Sequence, residues 1–296
     1  MKDFVIYEVG PRDGLQNIPK SVPTAEKITF IRELRAAGLQ NIEVTSFAHP
    51  KYVPQMADAE EVFDGEGAVL VMNEKGMERA LKVNAKKFNI VISPSEEFNK
   101  RNLNCNRKHA LVRYMNMLEG ISKRNVRVYI SVAFGCPYEG EISHNDLFRC
   151  MQEASLLGDT IVLCDTVGVA NYKDIIKAGE LGKKLKIRLG LHLHQKENRI
   201  QHSLLLVRTA LENGYKEIDS SMAGLGGCPF IEGSGGNLPT ETLVRWAKVM
   251  GYNCGIDSKK LTKALKCALK IKDKYTNQKL SHKSKQKEEV PKLVEL

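Results

Sequence analysis

The chain has 296 residues, of which 42% are hydrophobic and 27% charged, so it can bury a full core and has the composition of a globular protein. No apolar run reaches the roughly 20 residues of a membrane-spanning helix, and no signal or transit peptide pattern precedes the first strand, so we expect a cytoplasmic protein with no membrane partner. The seven scattered cysteines include no CxxC pair, which argues against a zinc ribbon or a disulfide scaffold.

The formal net charge of +10 is concentrated near the end of the sequence. Residues 258–296 contain 12 lysines and four acidic residues, so they carry +8 of this charge. Since no recognition helix or aromatic-interleaved basic motif accompanies these lysines, we expect no nucleic-acid partner.

Strand patterns alternate with helix patterns along most of the chain. The predicted strands are 4–9, 41–45, 68–72, 88–93, 126–134, 160–164, 188–194 and 217–220. The predicted helices are 24–37, 58–63, 75–83, 107–122, 145–157, 172–185, 200–213 and 240–250. Eight βα units of this kind predict an α/β fold, a closed (β/α)8 TIM barrel. An open doubly wound sheet is the alternative, although the segment after the first strand is not the expected glycine-rich phosphate loop.

The C-terminal part divides into two regions. Residues 258–272 form an amphipathic pattern that we expect to be a helix docked on the barrel, within a single domain over 1–280. Residues 281–296 are rich in Lys and Glu and poor in apolar residues, so a disordered tail is expected there.

The segment Gly-Leu-His-Leu-His ends the seventh predicted strand. Side chains two apart on a strand share a face, so His192 and His194 should lie together while Leu191 and Leu193 face the helices. Two adjacent imidazoles indicate an anchor for a divalent metal, and a pair of hydrogen-bonded core histidines is the alternative.

Polar residues stand at nearly every strand end, and these ends form the functional face of a barrel. Because strand eight closes onto strand one, Asp13 and Asn237 could reach the same metal ion as the two histidines. Two imidazoles, a carboxylate and an amide oxygen suit Mg²⁺ or Mn²⁺ better than structural zinc. Alone, Asp13 could instead form a turn or cap a helix. Arg12 could be a surface ion pair, but its place at a strand end favours a role inside the site.

Cys228 lies between two glycine-rich runs. This arrangement favours a mobile lid that brings the thiol to the site, and inert packing is the alternative.

Several long motifs resemble one family. They are residues 8–17 (Glu-Val-Gly-Pro-Arg-Asp-Gly-Leu-Gln-Asn), 42–47 (Ile-Glu-Val-Thr-Ser-Phe), 54–58 (Pro-Gln-Met-Ala-Asp), 135–140 (Gly-Cys-Pro-Tyr-Glu-Gly) and 221–230 (Ser-Met-Ala-Gly-Leu-Gly-Gly-Cys-Pro-Phe). From about residue 5 to residue 261 the chain resembles the 3-hydroxy-3-methylglutaryl-CoA (HMG-CoA) lyase family, within the metal-dependent barrel superfamily named for its Asp-Arg-Glu motif.

The resemblance implies a retro-Claisen cleavage of an HMG-CoA thioester to acetoacetate and acetyl-CoA, assisted by Mg²⁺ or Mn²⁺. It implies that the metal ligands are Asp13, His192, His194 and Asn237. The implied catalytic residues are Arg12, Asp13, Glu43, Asp165, His192 and Cys228.

Within this set, the implied roles are distinct. Arg12 faces the thioester oxygen, Glu43 and Asp165 support the site, and Cys228 donates a proton late in the reaction. Asp13 or a histidine beside the metal takes the hydroxyl proton. An acyl-CoA is the expected partner and a homodimer the expected assembly. Four basic residues are candidates for the CoA phosphates, with an ordinary solvated helix face as the alternative: Lys100, Arg101, Arg107 and Lys108.

The chain also departs from the family pattern. Gln195 stands where an Asp usually follows the second histidine, which removes a carboxylate that could support the metal ligands. Ile18, Cys164 and Thr242 replace other residues typical of the family. Three alternatives therefore stay open: a lyase for a related thioester such as citramalyl-CoA, a condensing enzyme of the same fold, and a non-catalytic binding barrel.

Overall fold

The computed structural model describes residues 2–194, 199–226 and 236–276. The strands are β1 (Lys2–Asp3), β2 (Val5–Glu8), β3 (Asn41–Ser46), β4 (Ala68–Leu70), β5 (Lys87–Ile92), β6 (Val126–Ile130), β7 (Thr160–Asp165), β8 (Arg188–Leu193), β9 (Glu217–Ser220) and β10 (Tyr252–Asn253). The α-helices are α1 (Thr24–Ala36), α2 (Ala59–Val62), α3 (Glu74–Lys82), α4 (Glu96–Leu103), α5 (Arg107–Met117), α6 (His144–Leu157), α7 (Tyr172–Leu185), α8 (Ile200–Glu212), α9 (Thr240–Val249) and α10 (Ser258–Tyr275).

Strands β2 to β9 form a closed barrel of parallel strands in sequence order. The pairing of β9 with β2, from Val5↔Glu217 to Glu8↔Ser220, closes it. The predicted (β/α)8 TIM barrel is confirmed, and the open sheet is excluded. β1 and β10 form a separate two-stranded sheet, which was not predicted because two-residue strands leave no periodic signal.

The barrel strands are buried on both faces, as parallel strands usually are. The largest apolar cluster lies between the barrel and the helices and includes Leu191 and Leu193 of β8. A smaller cluster contains alternate residues of β4 to β7 on the other face, where Cys164 pairs in register with His192. The inner face therefore combines an apolar wall with the histidine-bearing strand.

Two predictions around the fourth and fifth barrel strands are corrected: the end of one strand and the number of helices that follow the other. β6 ends at Ile130 rather than at residue 134, because Val132 takes a left-handed conformation (φ +52°) and its N–H donates to Thr166 Oγ1 at 2.9 Å. A helix not predicted, α4, precedes α5. The Ser95 hydroxyl caps it by accepting from the Phe98 N–H at 3.0 Å.

The C-terminal helix α10 packs on α1, with Leu261, Ala264 and Ala268 buried. Its last turn is tied down by the Tyr275 hydroxyl, which donates to Glu26 at 2.9 Å. The predicted tail at 281–296 lies outside the described residues. Over the part of the chain that is described, no helix is both long and apolar enough to cross a membrane.

Candidate active site

Asp13, His192 and His194 lie together at the C-terminal end of the barrel. One possible ligand atom from each lies within 4.8 Å of the others. Both histidine Nε2 atoms are 3.9 Å from Asp13 Oδ2, which is too long for a hydrogen bond and suitable for ligands of one cation. The predicted shared face of the two histidines is confirmed, because their ring centroids are 5.0 Å apart while Leu191 and Leu193 pack in the core behind them.

A single π-helical turn, Gly10–Gly14, presents Asp13 directly after β2. The Val9 carbonyl accepts from the N–H groups of three successive residues, 12 to 14, which fixes the turn tightly. Gly14 is required, since a Cβ there would lie 2.9 Å from Leu225 Cβ. Burial opposes ionisation of Asp13, but the Arg12 guanidinium acts together with His194 and His192, and their combined effect holds the pKa of Asp13 well below its usual range. Asp13 is therefore a carboxylate available to a cation.

Asn237 joins this group from the segment that follows β9. Its backbone bridges to His194, and its Nδ2 donates to Asp13 Oδ2 at 2.8 Å and to the Leu225 carbonyl at 3.0 Å. Gly226 permits this approach, because it has a φ of +105° and a Cβ there would lie 2.5 Å from Asn237 Nδ2. The four predicted metal ligands thus converge. The amide presents nitrogen to Asp13, and a half-turn of that amide would present its oxygen to a cation.

The chemistry of this group fits a divalent cation. Neither ring nitrogen of His194 has a hydrogen-bond partner within the described residues, although its side chain is only 9% exposed. Buried polar atoms without a partner are rare, and binding a cation would satisfy one of them. A set of two imidazoles, one carboxylate and one amide is a mixed nitrogen and oxygen site.

Two carboxylates hold Arg12 against this group. Its Nε donates to Glu43 at 2.6 Å and its Nη1 donates to Asp13 at 2.7 Å. Glu43 is fully buried and also accepts from Asn89 at 2.7 Å, so it supports the arginine from behind. No hydrogen bond from Nη2 of Arg12 is found within the described residues, and Arg12 lines the cavity described next.

A cavity of about 840 Å³ extends from the cation group to the protein surface. Its inner end is formed by Arg12, Asp13 and the two histidines, and Cys164 lines it beside His192. Two of the four predicted phosphate-binding residues, Lys100 and Arg101 of α4, line the cavity. The other two do not: Arg107 pairs with Glu153 at 2.9 Å, and Lys108 lies outside the cavity.

The HMGL-like family model matches residues 3–267. The chain belongs to the HMGL-like family. It is 39% identical to the mitochondrial hydroxymethylglutaryl-CoA lyase of Bos taurus, over 95% of this chain and 89% of the relative. It is 37% identical to the cytoplasmic 3-hydroxy-3-methylglutaryl-CoA lyase of Rattus norvegicus, over 94% and 84%. A solved HMG-CoA lyase from Acinetobacter baumannii, in complex with coenzyme A and 3-methylmalate, has a TM-score of 0.86 at 31% identity and covers 98% of each chain. The predicted family, and the prediction of an enzyme of this kind, are confirmed.

Asp165 has a different environment from the other residues that the HMGL-like resemblance assigned. Its carboxylate accepts from the N–H groups of Val169 and Ala170 at 2.9 and 3.1 Å. It does not line the cavity. Asp165 therefore holds the loop after β7, and its catalytic assignment stays a prediction.

Two other HMGL-like features fall outside the described residues. They are Cys228 and the altered segment 195–198. The described part nearest to Cys228 is Leu225–Gly226, which contacts Asn237 and the turn that bears Asp13. The predicted role of Cys228 stays a prediction.

Sequence reasoning missed several residues that support the HMGL-like site. Asp219 Oδ2 lies 3.1 Å from His192 Nδ1, and this contact, together with the charge of Asp13, outweighs burial and raises the pKa of His192. Arg127 contacts Asp219 from below, and Asn89 holds Glu43. Period-two alternation in Glu217-Ile218-Asp219 would have indicated that Asp219 faces the barrel interior.

Sequence reasoning also missed Glu8, although Glu8 is the first residue of the family-like motif at 8–17. Its carboxyl group accepts from the N–H groups of Gly10 and Met222, at 2.8 and 2.9 Å, and from the Thr240 hydroxyl at 2.5 Å. Burial raises the pKa of Glu8 to about 7. Glu8 thereby joins the turn that bears Asp13 to the described segments before and after residues 227–235.

Proposed function

We propose that the protein cleaves HMG-CoA to acetoacetate and acetyl-CoA with the help of Mg²⁺ or Mn²⁺. The observation that carries this proposal is the convergence of Asp13, His192, His194 and Asn237 at the inner end of a large cavity that Arg12 also lines. The similarity to HMG-CoA lyases over nearly the whole chain supports the substrate. The coenzyme A complex of a structural relative supports a CoA thioester.

The four converging residues would hold the cation. A bound divalent cation lowers the pKa of an oxygen acid that it coordinates and polarises a carbonyl group. The chain keeps Asp13 ionised through Arg12 and keeps the two imidazoles on one face of β8. These features prepare the ligands before any substrate arrives.

The proposed reaction needs no second substrate. The tertiary hydroxyl loses its proton to Asp13, a carboxylate beside the proposed cation position. The bond between C2 and C3 breaks, C3 becomes the ketone of acetoacetate, and the electron pair forms the enolate of acetyl-CoA. Protonation of C2 completes acetyl-CoA, so the atoms of the substrate are divided between two products without oxidation or reduction.

Arg12 is the proposed partner of the enolate oxygen. Its guanidinium is permanently charged and already fixed by Glu43 and Asp13, so no reorganisation is needed when charge develops. Cys228 is the proposed donor of the final proton. Lys100 and Arg101, at the outer part of the cavity, are the proposed contacts of the CoA phosphates.

The test is a cleavage assay with purified full-length protein, Mg²⁺ or Mn²⁺, and a panel of CoA thioesters. Formation of acetoacetate from HMG-CoA at a kcat/KM well above that for citramalyl-CoA is expected. Preference for citramalyl-CoA would instead indicate a lyase for that related thioester. The 3-methylmalate in the complex of the structural relative is the reason to include this substrate in the panel. Condensation of acetyl-CoA with a keto acid would indicate a synthase. No turnover of any thioester would favour the non-catalytic barrel and overturn the proposal.

We extend the proposal to the setting of the enzyme. The catalytic unit would be the domain at 1–280, active as a cytoplasmic homodimer. The cytoplasmic relative supports this compartment. Removal of residues 282–296 should leave kcat unchanged, and light scattering should give twice the mass of the chain. Loss of activity on truncation would place the tail in the catalytic unit.

A further inference from the structure

Asp219 lies directly behind one of the two cation-binding histidines. Its Oδ2 is 3.1 Å from His192 Nδ1, and both side chains are buried, with 1% and 7% of their surface exposed. The opposite nitrogen of the ring, Nε2, points toward Asp13 at 3.9 Å. The imidazole therefore spans the distance between a buried carboxylate and the cation group.

This arrangement selects one tautomer of His192. A neutral imidazole has one N–H donor and one lone pair, and an ionised carboxylate can only accept a hydrogen bond. A proton on Nδ1 donated to Asp219 leaves the lone pair on Nε2, where a cation can use it. The opposite tautomer would place two acceptors 3.1 Å apart and direct an N–H at the cation.

Asp219 is itself held in a fixed orientation. Arg127 donates from Nη2 to Asp219 Oδ1 and from Nη1 to Oδ2, the second at 3.3 Å, so it binds both carboxylate oxygens. The same guanidinium donates from Nε to Glu217 at 3.0 Å and lies 3.8 Å from the centre of the Tyr7 ring. Gly190 leaves the room for it, since a Cβ there would lie 3.3 Å from Arg127 Nη2.

His194, which directly follows β8, provides the contrast. Its two ring nitrogens have no hydrogen-bond partner in the described part of the chain, and its Nε2 is 3.9 Å from Asp13 Oδ2. A charged hydrogen bond orients His192, and none from a described residue orients His194. The structure therefore gives the two ligands unequal support.

We propose that Asp219, fixed by Arg127, is a positioning residue that holds His192 in the Nδ1–H tautomer and directs its Nε2 lone pair at the bound cation. This inference rests on the proposed function only for the presence of the cation. It adds a residue that touches neither the substrate nor the reacting atoms.

The first experiment measures cation affinity rather than turnover. Mn²⁺ binding to the full-length protein is followed by electron paramagnetic resonance, without any thioester. In Asp219→Asn the amide can donate to Nδ1 and favour the wrong tautomer, so the Mn²⁺ dissociation constant should rise about 10- to 100-fold. Glu217→Gln is the matched control, because Glu217 contacts the same Arg127 but not His192, and it should change the constant by less than about threefold.

The second experiment uses the unsubstituted protein, so it remains informative if Asp219→Asn does not fold. Long-range ¹H–¹⁵N spectra of ¹⁵N-histidine-labelled, metal-free protein, recorded at a pH high enough for the imidazole to be neutral, report which ring nitrogen carries the proton. The Nδ1–H form is expected for His192. An Nε2–H form, or wild-type Mn²⁺ affinity in folded Asp219→Asn, would overturn the inference. Absence of turnover in a wild-type protein that binds Mn²⁺ would instead count against the proposed function.

Discussion

The cation group has two sides that are built in different ways. The histidine side consists of His192 on β8 and His194 directly after its last residue, and both side chains are buried. The loop side, Asp13 and Asn237, lies on segments outside the strands and is joined by an amide-to-carboxylate hydrogen bond of 2.8 Å. Glycines at 14 and 226 allow these two segments to approach each other.

This difference suggests that the two sides have different functions. Residues on strands of a closed barrel are held by pairing on both sides, so the histidine side provides a rigid base for the cation. The loop side carries Asp13 beside Arg12, so it brings together two residues that are proposed to act on the substrate. Substitutions on the two sides should therefore affect different measurements.

The largest effect is expected on the histidine side. His192→Ala removes a cation ligand, and both Mn²⁺ binding and turnover should fall by about 10³-fold or more, because the cation supplies several kcal/mol of charge stabilisation. Binding is measured by electron paramagnetic resonance and turnover by acetoacetate formation. The exposed His109→Ala is the control and should behave as wild type. Retained Mn²⁺ affinity in His192→Ala would remove the histidine side from the cation site.

A second prediction separates two cysteines. Cys228→Ala should lower kcat by about 10²- to 10⁴-fold, the range typical of a lost general acid, while leaving Mn²⁺ affinity unchanged. Cys164 is the matched control, because it lines the cavity beside His192 and burial raises the pKa of its thiol well above the usual value. Cys164→Ala should change kcat by less than about threefold, since it alters mainly packing. The reverse pattern would make Cys164 the proton donor.

A third prediction tests Arg12 on the loop side. Arg12→Lys keeps the positive charge but cannot hold Glu43 and Asp13 through a planar fork while donating to a third oxygen. We expect kcat to fall about 10²-fold, as for a lost donor to a developing oxyanion, with Mn²⁺ affinity nearly unchanged. Arg208→Lys is the control, because Arg208 does not line the cavity and its exposed pair with Glu212 contributes little. Equal losses in the two variants would contradict the role of Arg12.

The sequence predicted the histidine side more completely than the loop side. Period-two alternation places His192 and His194 on one face without any knowledge of neighbouring strands. Asp219 obeys the same rule, but its partnership with His192 depends on the stagger between β8 and β9, where Gly190 pairs with Glu217. That stagger exists only in the closed barrel.

For residues at strand ends, position in the sequence identified candidates but not their contacts. Asp13 follows β2 and Asp165 is the last residue of β7, and both were predicted to serve the site. The π-helical turn directs Asp13 to the histidines, whereas Asp165 turns back to accept from backbone N–H groups of its own loop. Which of these occurs depends on backbone hydrogen bonds over four or five residues, and residue type does not determine them.

Glu8 gives the last and smallest test of the comparison, because it supports the loop side without contacting a cation ligand. Burial raises its pKa from an ordinary 4.5 to about 7, so the folded state prefers the protonated form. The stability it contributes is complete below pH 4.5 and is lost as the pH rises through 7, because ionisation is then easier in the unfolded chain.

Glu8→Gln mimics the protonated acid at every pH, so it should remove this loss. Its free energy of unfolding should therefore increase relative to that of wild type, by roughly 2–3 kcal/mol between pH 5 and pH 8. Urea unfolding of both proteins at each pH measures this difference in unfolding free energy. Groups other than Glu8 titrate in both proteins, so subtracting the wild-type curve removes their contribution. Mn²⁺ affinity should not change, since the histidine side is untouched. A pH-independent difference would mean that Glu8 is already ionised at pH 5, and a weaker Mn²⁺ site would mean that the two sides are not independent.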